Sequence, residues 1–461
     1  MVYRHRFDLL GEGMAVVSSW PNVDGRFNTW FIPTFSLTMA VPLSLGTAYG
    51  MEFNFAHLLL PVVAFWILSS LSDRLTLAFL TAGGCGVLSI AVAHYLSPGN
   101  LVGNLAELTI WTMMAPAFLF VGRALPIKPV VFWAAVFSAA FLIIITLPLI
   151  LTGEPVRAMY LFDTPGRQPG TEFINVHLLG LPVFATYGVN SFTPLLCIQA
   201  ALLCSGIATN TKWLRVLFAI GLACVVFLVL GSNSRAAQGT MILLAVASFA
   251  FCFRTRDAAT AIFIIAAAAA AVTLTFARDL TPSTLTQKDA ALPPMVDSRM
   301  IESVGNAMNI FDKQLGYDDA AASPIGETKV INEISTGRID LWREVASEVG
   351  ESPIVGNGFS GFGRFSPPDV ETGGNTTAHN YYLNLLWKGG LLFFIPFAAF
   401  CLMALWRAWE EREQSPQYYF AATAVVLTAF LPSLTWDILI VPSAGALAWF
   451  LLGSLGSPSD A

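Results

Sequence analysis

INVHLLGLPVFATYGVN, residues 174–190, is the stretch on which the topology of this chain turns. A helix that crosses the hydrocarbon core needs about 20 predominantly apolar residues, and this stretch comes close. Counted as a crossing, it reverses the sidedness of every later connection. Counted as a re-entrant or interfacial segment, it leaves the basic residues of the short loops on one face throughout. Arg4 and Arg6, Arg74, Arg123 with Lys128, Lys212 with Arg215, Arg254 with Arg256, and Arg407 with Arg412 then fall on alternate connections. An excess of lysine and arginine marks the cytoplasmic side. The opposite connections, GTAYGMEFN and YLSPGNLVGN, carry neither residue. The second reading therefore holds, and it puts both termini in the cytoplasm.

The 461 residues are 55% hydrophobic and 12% charged, whereas soluble domains carry about 25% charged residues. Such a composition means a polytopic membrane protein. Apolar windows predict spans near 30–48, 55–72, 75–95, 104–122, 130–152, 192–210, 213–231, 236–253, 258–277, 383–406, 417–435 and 438–455, about twelve helices in all. The polar start, MVYRHRFDLLGEGMAVVSSWPNVDGRFNTW, lacks the compact apolar region of a cleavable signal peptide, so the first span is expected to act as its own insertion signal. A net charge of -6 with no block of lysine or arginine excludes a nucleic-acid partner. Cys85, Cys197, Cys204, Cys224, Cys252 and Cys401 lie in or beside apolar runs with no CxxC pair. They are read as small core residues rather than disulfide or zinc ligands.

The expected organisation is a transmembrane bundle over 1–277 of about nine helices, with a shorter periplasmic segment at 153–191. A large periplasmic loop over 278–380 and about three C-terminal helices over 381–461 follow. A loop of that length in a compact protein is usually functional. Within it GRIDLWREVASEV repeats Trp342, Val345, Ala346 and Val349 at helical spacing, and Gly350 and Pro353 end the helix. The alanine run at 266–271 is read as close helix packing.

Three residues on the external face carry the candidate chemistry. Arg235, in GSNSRAAQG between two apolar helices, either snorkels to the interface or faces a wet cavity and a partner. Arg338 stands at the start of the amphipathic helix, where free N–H groups favour an anion and a forked guanidinium suits a phosphate. The alternative is a solvated first-turn arginine. His379, in TTAHNYYLNLLWKGG (376–390), is expected in a first helical turn capped by Thr376 or Thr377. There the helix dipole disfavours imidazolium and leaves a neutral base near pH 7, or else the residue merely caps and packs. Trp387 and Lys388 read as an interfacial pair, with His379 roughly 13 Å above them. Arg157 and Arg167 are read as solvated, and the Asp369 and Glu371 pair as an acidic loop rather than a metal site. His5, His57, His94 and His177 have no partner at metal-ligand spacing.

The ordered elements GSNSRAAQG, STGRIDLW, ESPIVGNGFSGFGRF and TTAHNYYLNLLWKGG resemble the O-antigen ligase and O-antigen polymerase superfamily of membrane glycosyltransferases. The resemblance is specific over about residues 231–406 and covers the N-terminal half only as a hydropathy pattern. It implies an all-α, GT-C-like polytopic membrane fold with about twelve transmembrane helices and a large helical periplasmic loop. It also implies a metal-independent, cofactor-free inverting transfer at the periplasmic face of the bacterial inner membrane. Arg235 and Arg338 match the arginines that hold the donor diphosphate, and His379 matches the essential histidine. The lysine of NLLWKGG departs from the family, where an apolar or acidic residue often precedes the glycines.

The expected donor is an undecaprenyl diphosphate-linked glycan, and the expected acceptor is lipid A-core, as in an O-antigen ligase. The alternative is a polymerase of O-antigen or exopolysaccharide that joins lipid-linked repeats. A protein-directed oligosaccharyltransferase shares the same donor elements. A polysaccharide transporter is disfavoured because only Glu107 and Asp437 offer ionisable groups near span ends. A scaffold whose loop binds a partner is the third class, and it would tolerate loss of all three residues.

Overall fold

The structure is a computed structural model. It describes residues 25–152 except 43, 49–50, 55–57, 70, 72 and 97–100; then 175–178, 181–185 and 188–280 except 211 and 232–234; then 338–359 and 378–456 except 436–437 and 441. Arg157, Arg167, Asp369, Glu371, Thr376, Thr377 and most of the 278–380 loop lie outside the described residues.

The chain is helical. In order it forms α1 (Gly25–Ala40), β1 (Ser44–Ala48), β2 (Met51–Asn54), α2 (Leu60–Ser69), α3 (Arg74–Leu96) and α4 (Leu101–Glu107). A π-helical segment, Leu108–Met113, joins α4 to α5 (Met114–Arg123), and α6 (Ile127–Thr152) follows. Then come β3 (Asn175–Leu178), β4 (Leu181–Ala185), α7 (Gly188–Thr209), α8 (Lys212–Gly231), α9 (Arg235–Thr255) and α10 (Ala258–Leu280). The last elements are α11 (Arg338–Glu351), α12 (Tyr381–Glu411), α13 (Pro416–Val425), a second π-helical segment (Val426–Phe430) and α14 (Pro442–Leu455).

Among the described residues, six helices are long and apolar enough to cross a membrane: Arg74–Leu96, Ile127–Leu147, Trp213–Leu230, Ala236–Thr255, Tyr381–Glu411 and Pro416–Leu434. Four shorter apolar helices accompany them, Met114–Arg123, Thr193–Thr209, Ala258–Leu274 and Ala444–Leu455. Outward faces are apolar too, as Leu77, Val87 and Leu88 on α3 and Ile242, Val246 and Phe253 on α9 are exposed. Water does not tolerate so large an apolar surface, but lipid covers it. The protein is a multi-pass membrane protein.

Among the described residues, the strands form two antiparallel hairpins, β1–β2 and β3–β4. The first takes the end of the predicted span 30–48, since α1 stops at Ala40. The second occupies the decisive stretch 174–190, which holds a hairpin followed by the start of α7.

Without a hydrophobic drive between helices in lipid, close van der Waals packing holds the bundle. The most extensive contact joins α5 to α14. A Cβ added at Gly122 would stand 2.0 Å from the Phe450 carbonyl oxygen, and one at Gly453 would stand 1.9 Å from that of Leu119. At one end of the bundle Asp73 ties three helices. Its carboxylate accepts from the Leu75 and Thr76 N–H groups at 3.0 Å, capping α3. It also pairs with Arg123 at the end of α5 and lies 3.8 Å from Arg407 on α12. Burial pushes this carboxyl up, but the Arg123 guanidinium outweighs that and holds it below its ordinary value.

Substitution Gly453→Val forces α5 and α14 apart and is expected to cost about 3 kcal/mol or more, seen as loss of the monodisperse peak in detergent size exclusion. Gly84→Ala, where an added Cβ meets nothing within 4 Å, is expected to behave as the parent.

Candidate functional site

The longest helix, α12, is two helices. At Gly390 the backbone leaves the helical region, with φ 58° and ψ -170°. A short stub, Tyr381 to Gly389, therefore stands apart from the membrane-crossing remainder. Two adjacent glycines make this possible, since φ > 0 is cheap only for glycine.

The break orphans backbone groups on both sides, and buried orphans are costly. A loop that follows α11 satisfies them. Asn357 N–H donates to the Trp387 carbonyl at 2.8 Å and Gly358 N–H to that of Lys388 at 3.0 Å. In return Leu391 and Leu392 N–H donate to the Pro353 and Ile354 carbonyls, both at 2.9 Å. Ser89 of α3 donates to the Val355 carbonyl at 2.5 Å and lies 3.2 Å from that of Gly389. The fit leaves no space. A Cβ on Gly356 (φ 71°) would stand 2.4 Å from the Lys388 oxygen, and one on Gly390 would stand 2.3 Å from the Ile354 oxygen. The SPIVGNG motif thus supplies the missing rungs of a broken helix.

The stub is gripped elsewhere as well. Trp387 Nε1 donates to Glu348 Oε2 of α11 at 2.6 Å, and the Tyr382 hydroxyl donates to the Phe430 carbonyl at 2.8 Å. Val345, Ala378 and Trp387 form a small buried cluster with Leu341, Val349 and Leu383 around it. The predicted amphipathic helix is present as α11, with Val345 buried and Val349 partly so, while Ala346 faces outward.

His379 precedes the stub. Asn380 is the N-cap, its Oδ1 accepting from Leu383 N–H at 3.0 Å, so Thr376 and Thr377 do not hold that position. His379 is then outside the first turn, half-buried, in the left-handed region with φ 46°. Such a conformation costs a non-glycine residue about 1–3 kcal/mol and is found where the surroundings impose it. Here Trp342 Nε1 donates to the carbonyl of the preceding residue, Ala378, at 2.8 Å, and Ala378 is fully buried.

Arg338 and Arg235 are placed by backbone only. Arg338 opens α11, one turn before Trp342, the residue that holds the peptide preceding His379. Arg235 opens α9. At its other end Arg254 pairs with Glu413 at 2.9 Å, and Ala247 accepts from the Tyr419 hydroxyl at 2.8 Å, so α9 runs antiparallel to α13. Arg235 lies about 28 Å from Arg254 along that helix, at the end where the π-helical segment reaches Phe430 and Tyr382 meets it. Arg235 and Arg338 thus begin helices, and His379 stands just before one, at the same end of the bundle. One turn below Arg235, Gln238 enters the lining of an apolar cavity of about 350 Å³ between α8, α9 and α10, with Met241, Ile242, Ala245 and Val226.

Lys388 corrects an expectation. It is not interfacial but buried, its side chain 4% exposed, and it pairs with Glu107 Oε2 at 2.8 Å. Its ammonium also donates to the Phe359 carbonyl at 3.3 Å. Glu107 lies 281 positions away in the chain, so no local pattern signals the pair. Among the described residues, no three His, Cys, Asp or Glu side chains gather to hold a metal ion.

Residues 218–398 match the family described as O-antigen ligase. The matched range takes in Arg235, α11, the 352–359 loop, His379 and the break at Gly390. Among curated proteins, none matches the chain.

Substituting Gly390→Ala or Gly356→Ala strains φ and drives a methyl into the opposing backbone, with an expected loss of about 3 kcal/mol or more. Gly350→Ala, in open space on α11, is expected to be neutral or up to about 1 kcal/mol stabilising. Thermal denaturation of the detergent-solubilised protein distinguishes the two sets.

Proposed function

We propose, from the O-antigen ligase family that residues 218–398 match, that this protein is an inverting membrane glycosyltransferase whose donor is a glycan on undecaprenyl diphosphate. The supporting observation is the backbone of His379, held left-handed at the mouth of a splinted helix stub by a tryptophan one turn from Arg338. In this reading His379 takes the proton of the acceptor hydroxyl. The hydroxyl oxygen bonds to the anomeric carbon as the bond from that carbon to the diphosphate oxygen breaks. The electron pair leaves with the polyprenyl diphosphate.

A general base of this kind contributes about 10²- to 10⁴-fold. Arg235 and Arg338 stabilise the charge that builds on the leaving diphosphate, where preorganised donors act most strongly. Both residues open helices, and a helix start favours an anion beside each guanidinium. The apolar cavity beginning at Gln238 gives the isoprenoid tail a place directly below Arg235. The same reading counts about twelve crossings, adding α1, α2 and the shorter apolar helices to the six long ones. It places the active site at the periplasmic face of the bacterial inner membrane, with both termini cytoplasmic. The acceptor is lipid A-core, which makes the enzyme an O-antigen ligase; a polymerase joining lipid-linked repeats uses the same donor groups.

His379→Ala, Arg338→Ala and Arg235→Ala, each present in the membrane at the parent level, are expected to lower glycan transfer at least about 10²-fold. Full product from the His379 and Arg338 variants overturns the assignment. The glycolipid profile of a deletion strain separates the acceptors. Bare core beside accumulated lipid-linked polymer marks a ligase, and single unextended repeats mark a polymerase.

A further inference from the structure

We propose that Lys388 and Glu107 are positioning residues for the transfer: their buried ion pair fixes the angle of the stub that carries His379. The inference rests on the reading of His379 as the base.

The stub cannot take its direction from the rest of α12, because the ladder is interrupted at Gly390. Its direction comes from what grips it. The hydrogen bonds from the 353–358 loop hold its last carbonyls, but that loop also runs straight into α11 and can move with it. The Tyr382 and Trp387 side chains hydrogen-bond to the second π-helical segment and to α11 respectively, and Ser89 of α3 lies 3.2 Å from the Gly389 carbonyl. Lys388 alone joins the stub by charge to the N-terminal half of the chain, at the last residue of α4.

The partner is well placed for that. Glu107 ends α4 where the π-helical segment begins, and Leu108 after it packs under Gly86 of α3. Both charges are largely withdrawn from solvent, at 4% and 19% exposure. Such a pair is worth little as net stability compared with apolar residues of similar volume, yet breaking one side of it is costly. Its presence fits a demand for direction rather than for stability. Lys388 and the start of the stub at Tyr381 are separated by about 10 Å. A tilt of about 10° at the Lys388 end thus moves the His379 end by about 2 Å. A displacement near 1 Å can cost about 10²-fold in rate.

The test uses purified full-length protein with a polyprenyl-diphosphate-linked glycan donor and its acceptor. The double variant Lys388→Met with Glu107→Leu removes both charges and is expected to keep the parent's thermal stability. Its kcat is expected to fall about 10²-fold while KM for the donor stays within about threefold. The charge-swapped variant, Lys388→Glu with Glu107→Lys, is expected to recover at least about tenfold over Lys388→Met alone, since the tie is restored in reverse. A double apolar variant with the parent's kcat overturns the proposal, as does a loss carried by KM alone. His379→Ala in the same assay separates the two levels. If it retains activity, the base assignment fails; if it is inactive while the double apolar variant is fully active, only the positioning role fails.

Discussion

Helix α12 loses its hydrogen-bond ladder at Gly390, and the loop between Pro353 and Gly358 restores it. At membrane depth, irregular backbone survives only when protein buries it and satisfies its polar groups. That requirement binds together parts of the chain that are separate in sequence. The loop follows α11 directly, so α11 is brought against the stub, and Trp342 and Glu348 complete the joint. The glycines are needed on both sides because each approaches the other's backbone within the space a methyl would fill.

The same arrangement links a polar site to an apolar bundle. Phe359, the last described residue of the loop, meets Phe393 edge-on at 5.3 Å. From there Phe397 and Phe400 carry the contact down α12 to Trp449 of α14. Each ring pair adds about 0.5–1.5 kcal/mol beyond its burial, so the splint is anchored in the core as well as hydrogen-bonded. The base proposed at His379 would gain from such a foundation.

Much of this was legible in the sequence, and the misses share a cause. Each predicted span has a helical counterpart because apolar length is local information. The helix at Arg338–Glu351 follows from Trp342, Val345, Ala346 and Val349 at helical spacing, although Ala346 faces outward. The order of SR, GR, SPIVGNG and AHN elements pointed to the superfamily that residues 218–398 match. The Gly389–Gly390 pair was visible but silent, since only the loop opposite explains it. Trp387 with Lys388 has the composition of an interfacial pair, and the burial of Lys388 depends on a carboxylate in another quarter of the chain. Asn380 was overlooked as a cap because two threonines nearby have the same chemistry, and the choice depends on where the chain turns. The hairpins at 44–54 and 175–185 pair residues whose apolar composition equally suits a helix.

The central step of the proposed reaction is a single displacement at the anomeric carbon by a hydroxyl that His379 deprotonates. The configuration of the newly formed linkage, read by NMR on product made by the purified protein from a donor of known anomeric configuration, tests it most directly. Inversion relative to the donor is the predicted result. Retention would require a second displacement through a covalent or ion-pair intermediate, and would contradict the mechanism.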